Sequence, residues 1–227
     1  QVENAKMSSV TARCRSHAVA DFFAFALLCL AAGVARADVL FSQPPTSSGT
    51  IITSAYWDPD GSDYDQFVWD RFLLPAAGNI SEIRWRGAYP GGGTTGGNIT
   101  MFEIAIYASI PAGTQPDLGF LYPGPLAHFE VPGTCGETFA GNVGGTNWYD
   151  YHFVLPQPFL AAGNTPYWVF IVAWQPGFPT WGLASGSGGN GTHFARIPGY
   201  VGYQYIIGNF DASFSLIGTN ANCSVPT

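Results

Sequence analysis

Residues 167–174 read YWVFIVAW, eight apolar or aromatic positions in succession after the turn-forming AAGNTP of 161–166. A run this short, rich in Val, Ile and ring side chains, predicts a strand covered on both faces. Around it the chain alternates. In 80–89, Ile83, Trp85, Gly87 and Tyr89 fall on one face and Glu82, Arg84 and Arg86 on the other, so this strand has a wet side. In 99–109 the inward set is Phe102, Ile104, Ile106 and Ala108, opposite Met101, Glu103, Ala105 and Tyr107. In 147–155 it is Tyr149, Tyr151, Phe153 and Leu155, opposite Trp148, Asp150, His152 and Val154, and in 209–217 it is Phe210, Ala212, Phe214 and Leu216. Residues 66–74 (QFVWDRFLL) carry large apolar groups on both faces, with Asp70 and Arg71 expected near an edge or a strand end. Shorter strands are predicted at 38–42, 49–56, 125–131, 137–140 and 203–207.

Between these segments lie glycine and proline. The PGGGTTGG of 90–97 and the stretch 177–194, which contains Trp181 and the SGSGG of 185–189, predict loops. Roughly ten short strands with no helical period anywhere predict an all-β fold, a two-sheet antiparallel β-sandwich of jelly-roll-like form. It forms one domain over 38–219, with a tail at 220–227.

The start of the chain has a different character. Arg13 and Arg15 precede the apolar run 22–32 (FFAFALLCLAA), and Ala35-Arg36-Ala37 places small residues where a signal peptidase reads. Residues 1–37 are therefore expected to be a signal peptide, and the mature chain to begin at Asp38. That predicts a secreted, cell-surface or periplasmic location, and no later segment is long and apolar enough to predict a membrane span.

Charge then narrows the partners. The whole chain carries a formal charge of −7, and from Asp38 onward only Arg71, Arg84, Arg86 and Arg196 are basic. With no basic stripe to meet phosphates, nucleic acid is not an expected partner. Two cysteines, Cys135 and Cys223, follow the leader; in an exported chain they can form one disulfide, or remain free.

Two clusters hold candidate chemistry. The loop WDPDGSDYD supplies Asp58, Asp60, Asp63 and Asp65 as hard oxygen ligands for Ca²⁺, although its spacing is not that of an EF-hand and its D-P-D-G core is also an ordinary solvated turn. Trp57, Trp174, Trp181 and Tyr200, at loops or strand ends, are the rings able to stack on sugars, against the alternative that they anchor loops or fill core. Arg84, Arg86 and Glu82 share a strand face that can pair with Glu103, which reads most simply as a satisfied solvent face. His128, His152 and His193 lack metal-ligand spacing, no G-x-S-x-G elbow occurs, and Glu82, Glu103, Glu130 and Glu137 show no spacing that pairs two of them for glycoside cleavage.

The order of segments resembles exported bacterial proteins of the PEP-CTERM type. The matching phrases are Val68-Trp69-Asp70-Arg71-Phe72, residues 80–89, 102–107 and 160–171, and Trp181 with the glycines after it. Arg71 stands where the second aspartate of the family's pair falls, and no PEP motif or apolar helix follows residue 219, so no sorted or anchored form is expected. The resemblance implies a jelly-roll-like extracellular or surface-associated sandwich without an assigned activity. The function expected is a non-catalytic exported module of the cell surface or matrix with weak carbohydrate binding, its partners glycans or other surface proteins. The alternatives are a structural or self-associating protein with no small-molecule ligand, and a polysaccharide-acting hydrolase.

Overall fold

A computed structural model describes residues 37–58, 65–90, 99–119, 124–177, 179–199 and 202–221. In chain order the strands are β1 (Asp38–Gln43), β2 (Ile51–Thr53), β3 (Ala55–Trp57), β4 (Phe67–Leu73) and β5 (Gly78–Ala88). There follow β6 (Met101–Ala108), β7 (Ala127–Pro132), β8 (Thr138–Val143), β9 (Thr146–Ala161) and β10 (Pro166–Gln175). The last are β11 (Gly182–Gly186), β12 (His193–Pro198), β13 (Tyr203–Gly208), β14 (Asp211–Ala212) and β15 (Phe214–Asn220). The described residues contain no helix, and hence none long and apolar enough to cross a membrane.

Two sheets account for all fifteen strands, one of eight and one of seven, and the fold is the expected all-β sandwich. In the eight-stranded sheet β5 is the axis: β9 pairs along one edge, and β15 followed by β11 along the other. In the seven-stranded sheet β10 holds that place, antiparallel to β4 and β6, with the short β3 running parallel to its last residues. The run 167–174 is thus a central strand. Tyr167, Val169, Ile171 and Ala173 face the core between the sheets, and Trp168, Phe170 and Val172 join Trp69 and Phe194 in a second apolar layer on the far face. Burying each such side chain contributes about 1.5–3 kcal/mol, which is why the run is uniformly apolar instead of alternating.

A bulge explains one departure from strict alternation. Ile80 and Ile83 lie on opposite faces by count, yet both are fully buried, because the register of β5 slips at Ser81 and turns Ile80 inward. Asp70 departs from expectation in the other direction. It sits mid-strand in β4, between β12 and β10, and is only 2% exposed, so it is neither at an edge nor at a strand end.

Residues 182–186 correct the loop reading of 177–194. They form β11, buried along its whole length, and their small side chains are a packing requirement. A Cβ on Gly182 would lie 2.5 Å from Ile51 Cγ2, and one on Gly186 would lie 2.5 Å from the Ala212 carbonyl oxygen. Glycine here lets β11 pass close beneath its neighbours, which composition cannot distinguish from a turn.

Candidate functional site

Because β5 and β9 are antiparallel and in register, their solvent-facing residues form a row on the outer face of the eight-stranded sheet. Arg84 is opposite His152 and Arg86 opposite Asp150. Together with Glu82 and, from β15, Ser215, they line a groove of about 490 Å³. Residues 44–45 and Thr138 of β8 close its sides. A second, smaller cavity of about 180 Å³ shares Pro45 and Arg86 and ends at Trp148.

Two forks organise the polar wall. Arg84 donates from Nε to Glu82 Oε1 at 2.8 Å and from Nη2 to Glu82 Oε2 at 3.0 Å. Arg86 does the same toward Asp150, 2.7 Å from Nε to Oδ1 and 2.9 Å from Nη2 to Oδ2. Each pair holds the guanidinium plane in one orientation while leaving the remaining N–H donors of that fork pointing elsewhere. The hydrogen bonds from Arg84 hold the Glu82 carboxyl below its usual range, and Glu82 and Asp150 raise the guanidinium groups in turn. Glu82 and the two arginines therefore stay charged across the physiological range. The expected pairing of this row with Glu103 is overturned: Glu103 lies on β6 in the other sheet, where it bonds His128 Nε2 at 3.0 Å and accepts from Trp174 Nε1 at 3.2 Å.

The loop that walls the groove is latched from below. Glu137 Oε2 accepts hydrogen bonds from Tyr89 Oη at 2.5 Å and Tyr151 Oη at 2.8 Å, and Tyr151 Oη accepts from Trp181 Nε1 at 3.1 Å. Burial pushes the Tyr151 phenol up, so it stays protonated and donating. Gly136, with φ of 65°, lies so close to the His152 ring that a Cβ there would be 2.7 Å from Cε1. Glu137→Gln keeps an acceptor but loses the charge, and charge-assisted bonds are about twice as strong as neutral ones. Thermal melts are expected to show a loss of about 1–2 kcal/mol; an unchanged melting temperature would show the latch to be slack.

The candidates read from sequence fall elsewhere. Trp181 is fully buried, packed edge-on against Phe102 at 5.0 Å and Tyr151 at 5.8 Å, so it is core and not an exposed sugar platform. Trp174 is half-buried, with its ring 4.2 Å from that of Tyr56. The β3–β10 register sets Tyr56 beside Trp174 and Trp57 beside Gln175, so Trp57 and Trp174 project from opposite faces and cannot form one platform. Tyr200 lies outside the described residues, as do Asp60 and Asp63.

Of the other two aspartates, Asp58 is exposed, while Asp65 is committed to protein donors. Its Oδ1 accepts the Trp57 backbone N–H at 2.9 Å, and its Oδ2 accepts from Tyr203 Oη at 3.4 Å and lies 3.9 Å from Arg196 Nη2. Among the described residues no group of three His, Cys, Asp or Glu is placed to hold a metal ion. Cys135 is half-buried and has no disulfide partner among the described residues, burial pushing its thiol up to about 12, while Cys223 lies outside the described residues.

The groove residues were visible in the sequence as a wet strand face, but Asp150 and His152 could be joined to them only by the β5–β9 register. In comparison with known families, residues 39–190 fit a family described as a domain of unknown function, DUF7901. No curated protein matches the chain.

Proposed function

Since the chain belongs to the DUF7901 family, a membership that names no activity, we propose its role from the groove: a non-catalytic exported module that binds a saccharide across the outer face of its eight-stranded sheet. One observation carries the reading, the two bidentate Arg–carboxylate pairs lying side by side along an open groove with His152 and Ser215. Vicinal hydroxyls need donors and acceptors held at fixed spacing. An Arg–carboxylate fork supplies both, and its internal pairing fixes the geometry before any ligand arrives. Each arginine is balanced by its own carboxylate, so the two pairs offer fixed donors and acceptors with no net charge, which suits a neutral saccharide.

The carboxylates support binding over cleavage. Glu82 and Asp150 are offset by four positions along the ladder, about 13 Å between their backbone positions at the rise of a strand, so they do not stand opposite one another. Glu82 is lowered, away from the range of a general acid, and each carboxylate is tied to its own arginine. The export-type leader and the resemblance to PEP-CTERM-type proteins support an extracellular or surface setting, with glycans as the partner class and the sandwich as a matrix or wall component.

The test is a glycan array carrying neutral and uronate-containing polysaccharides, followed by calorimetry on any hit. Arg86→Ala, which frees Asp150 and opens both cavities, is expected to weaken binding at least about tenfold, equivalent to about 1.4 kcal/mol, with the unfolding midpoint essentially unchanged because the pair is solvent-exposed. Silence across the array with and without Ca²⁺, or affinity unaltered in Arg84→Ala and Arg86→Ala, would remove the reading.

A further inference from the structure

Sheet edges are where a β-sandwich meets other chains, and the edges of this one are not treated alike. At one end of the seven-stranded sheet β7 carries His128 and Glu130 and finishes in Pro132. In the eight-stranded sheet β1 begins with Asp38 and slips register between Val39 and Phe41, and β8 slips between Phe139 and Gly141. The strands β2, β3 and β14 are two or three residues long. Charge, proline, bulges and shortness are the usual devices that stop an edge from pairing with another chain. The remaining edge, β13, has none of them. Its six residues, YQYIIG, pair with β12 in an unbroken register, and among the described residues no strand pairs with its other side.

That edge is also exposed and uncharged. Tyr205 is 45% and Ile207 59% exposed, with Tyr203 and Ile206 each at 37%. From 197 to 210 the sequence contains no charged residue, and Arg196 on β12 is the one charge in the hairpin. Two copies of a chain of formal charge −7 repel over most approaches, and this edge is where they do not.

We propose that β13 is a homotypic docking edge, on which a second copy of the chain pairs its own β13 antiparallel about a two-fold axis and joins the two seven-stranded sheets into one. The strand is complementary to itself. In the register centred on Tyr205, that ring meets its symmetry mate, Tyr203 lies opposite Ile207, and Gln204 lies opposite Ile206, giving aromatic and β-branched cross-strand pairs. Identical patches facing each other across a two-fold axis make a closed dimer. The inference does not rest on the groove, which is built from the other sheet.

Sedimentation velocity and light scattering on the purified protein, from low micromolar to near-millimolar concentration, test it. A monomer–dimer equilibrium is expected. The Arg196 guanidinium stacks on Tyr203 at 3.7 Å, so a lysine at 207 would be brought beside the partner's cation. Ile207→Lys is expected to weaken the dimer at least about tenfold, since like charges set together across a strand pair are destabilising. Leu126→Lys, an equal charge change at a residue 50% exposed elsewhere, should leave it intact. A protein that is monomeric throughout, or a dimer that withstands both Ile206→Lys and Ile207→Lys with the fold retained by circular dichroism, overturns the proposal.

Discussion

Trp181→Ala is expected to lower the unfolding free energy by about 3–5 kcal/mol, the range for removing a large aromatic from a well-packed core. The ring is fully buried and touches Phe102 and Tyr151, and its indole N–H is taken up by Tyr151. Its slot is shaped around it: a Cβ on Gly87 would lie 2.4 Å from Trp181 Cζ2, so β5 carries glycine where the ring crosses it. The backbone is held as well, since the Trp181 N–H donates to Gln175 Oε1 at 2.9 Å. Neighbours so constrained cannot collapse into the cavity, which puts the cost toward the upper part of the range. Urea unfolding followed by circular dichroism reads the effect. If the variant kept wild-type stability and lost only ligand binding, the ring would belong to a surface site after all.

This residue also shows how far the chain could be read. Strands announced themselves wherever alternation or a dense apolar run was present, so β5, β6, β9 and β10 and the faces they bury were legible, and with them the two-sheet class. Trp181 was not, because it precedes a segment of small residues that looks like a turn and is in fact the tightly overlapped β11. Small size there answers to the distance between backbones, a quantity that no single stretch of sequence carries.

The groove was half legible. Glu82, Arg84 and Arg86 stood out as a polar face, but their partners depended on which strand lay beside β5, and pairing by sequence proximity pointed to Glu103. The actual neighbour comes from a strand more than sixty residues later, with Arg86 bonded to Asp150. Register between distant strands is set by the sum of many packing contacts, so a cross-strand site emerges only with the fold.

Asp70→Ala is expected to cost about 2–5 kcal/mol in acid and progressively less as the pH rises. The cost arises because the carboxylate satisfies two backbone donors in the interior, its own neighbour Arg71 N–H at 2.6 Å and, from the opposite sheet, Ala212 N–H. Leaving each unpaired costs about 1–3 kcal/mol. The pH dependence follows from where the group sits. Burial, reinforced by the nearby Asp211 carboxylate, raises Asp70 well above the usual carboxylate range, against the pull of the hydrogen bonds it accepts. A folded-state value above the unfolded one means that the native protein holds the proton more tightly. The contribution of Asp70 is therefore complete below about pH 4, where the unfolded chain is also protonated, and declines as the pH climbs toward the folded-state value.

Titrating groups remote from Asp70 act in both proteins and cancel in the difference, whereas Asp211 is relieved of its repulsion with Asp70 in the variant. Asp211, whose oxygens accept the Gly189 and Gly191 N–H groups at 3.0 and 2.8 Å, remains in the variant and keeps the 187–191 turn in place. The measurement is urea unfolding of wild type and Asp70→Ala at intervals from about pH 4 to pH 8. A gap that narrows with rising pH identifies Asp70 as a neutral inter-sheet clamp whose ionisation opposes folding. A gap that stays level or widens would mean that the aspartate folds in its charged form, as an ordinary hydrogen-bonded carboxylate does.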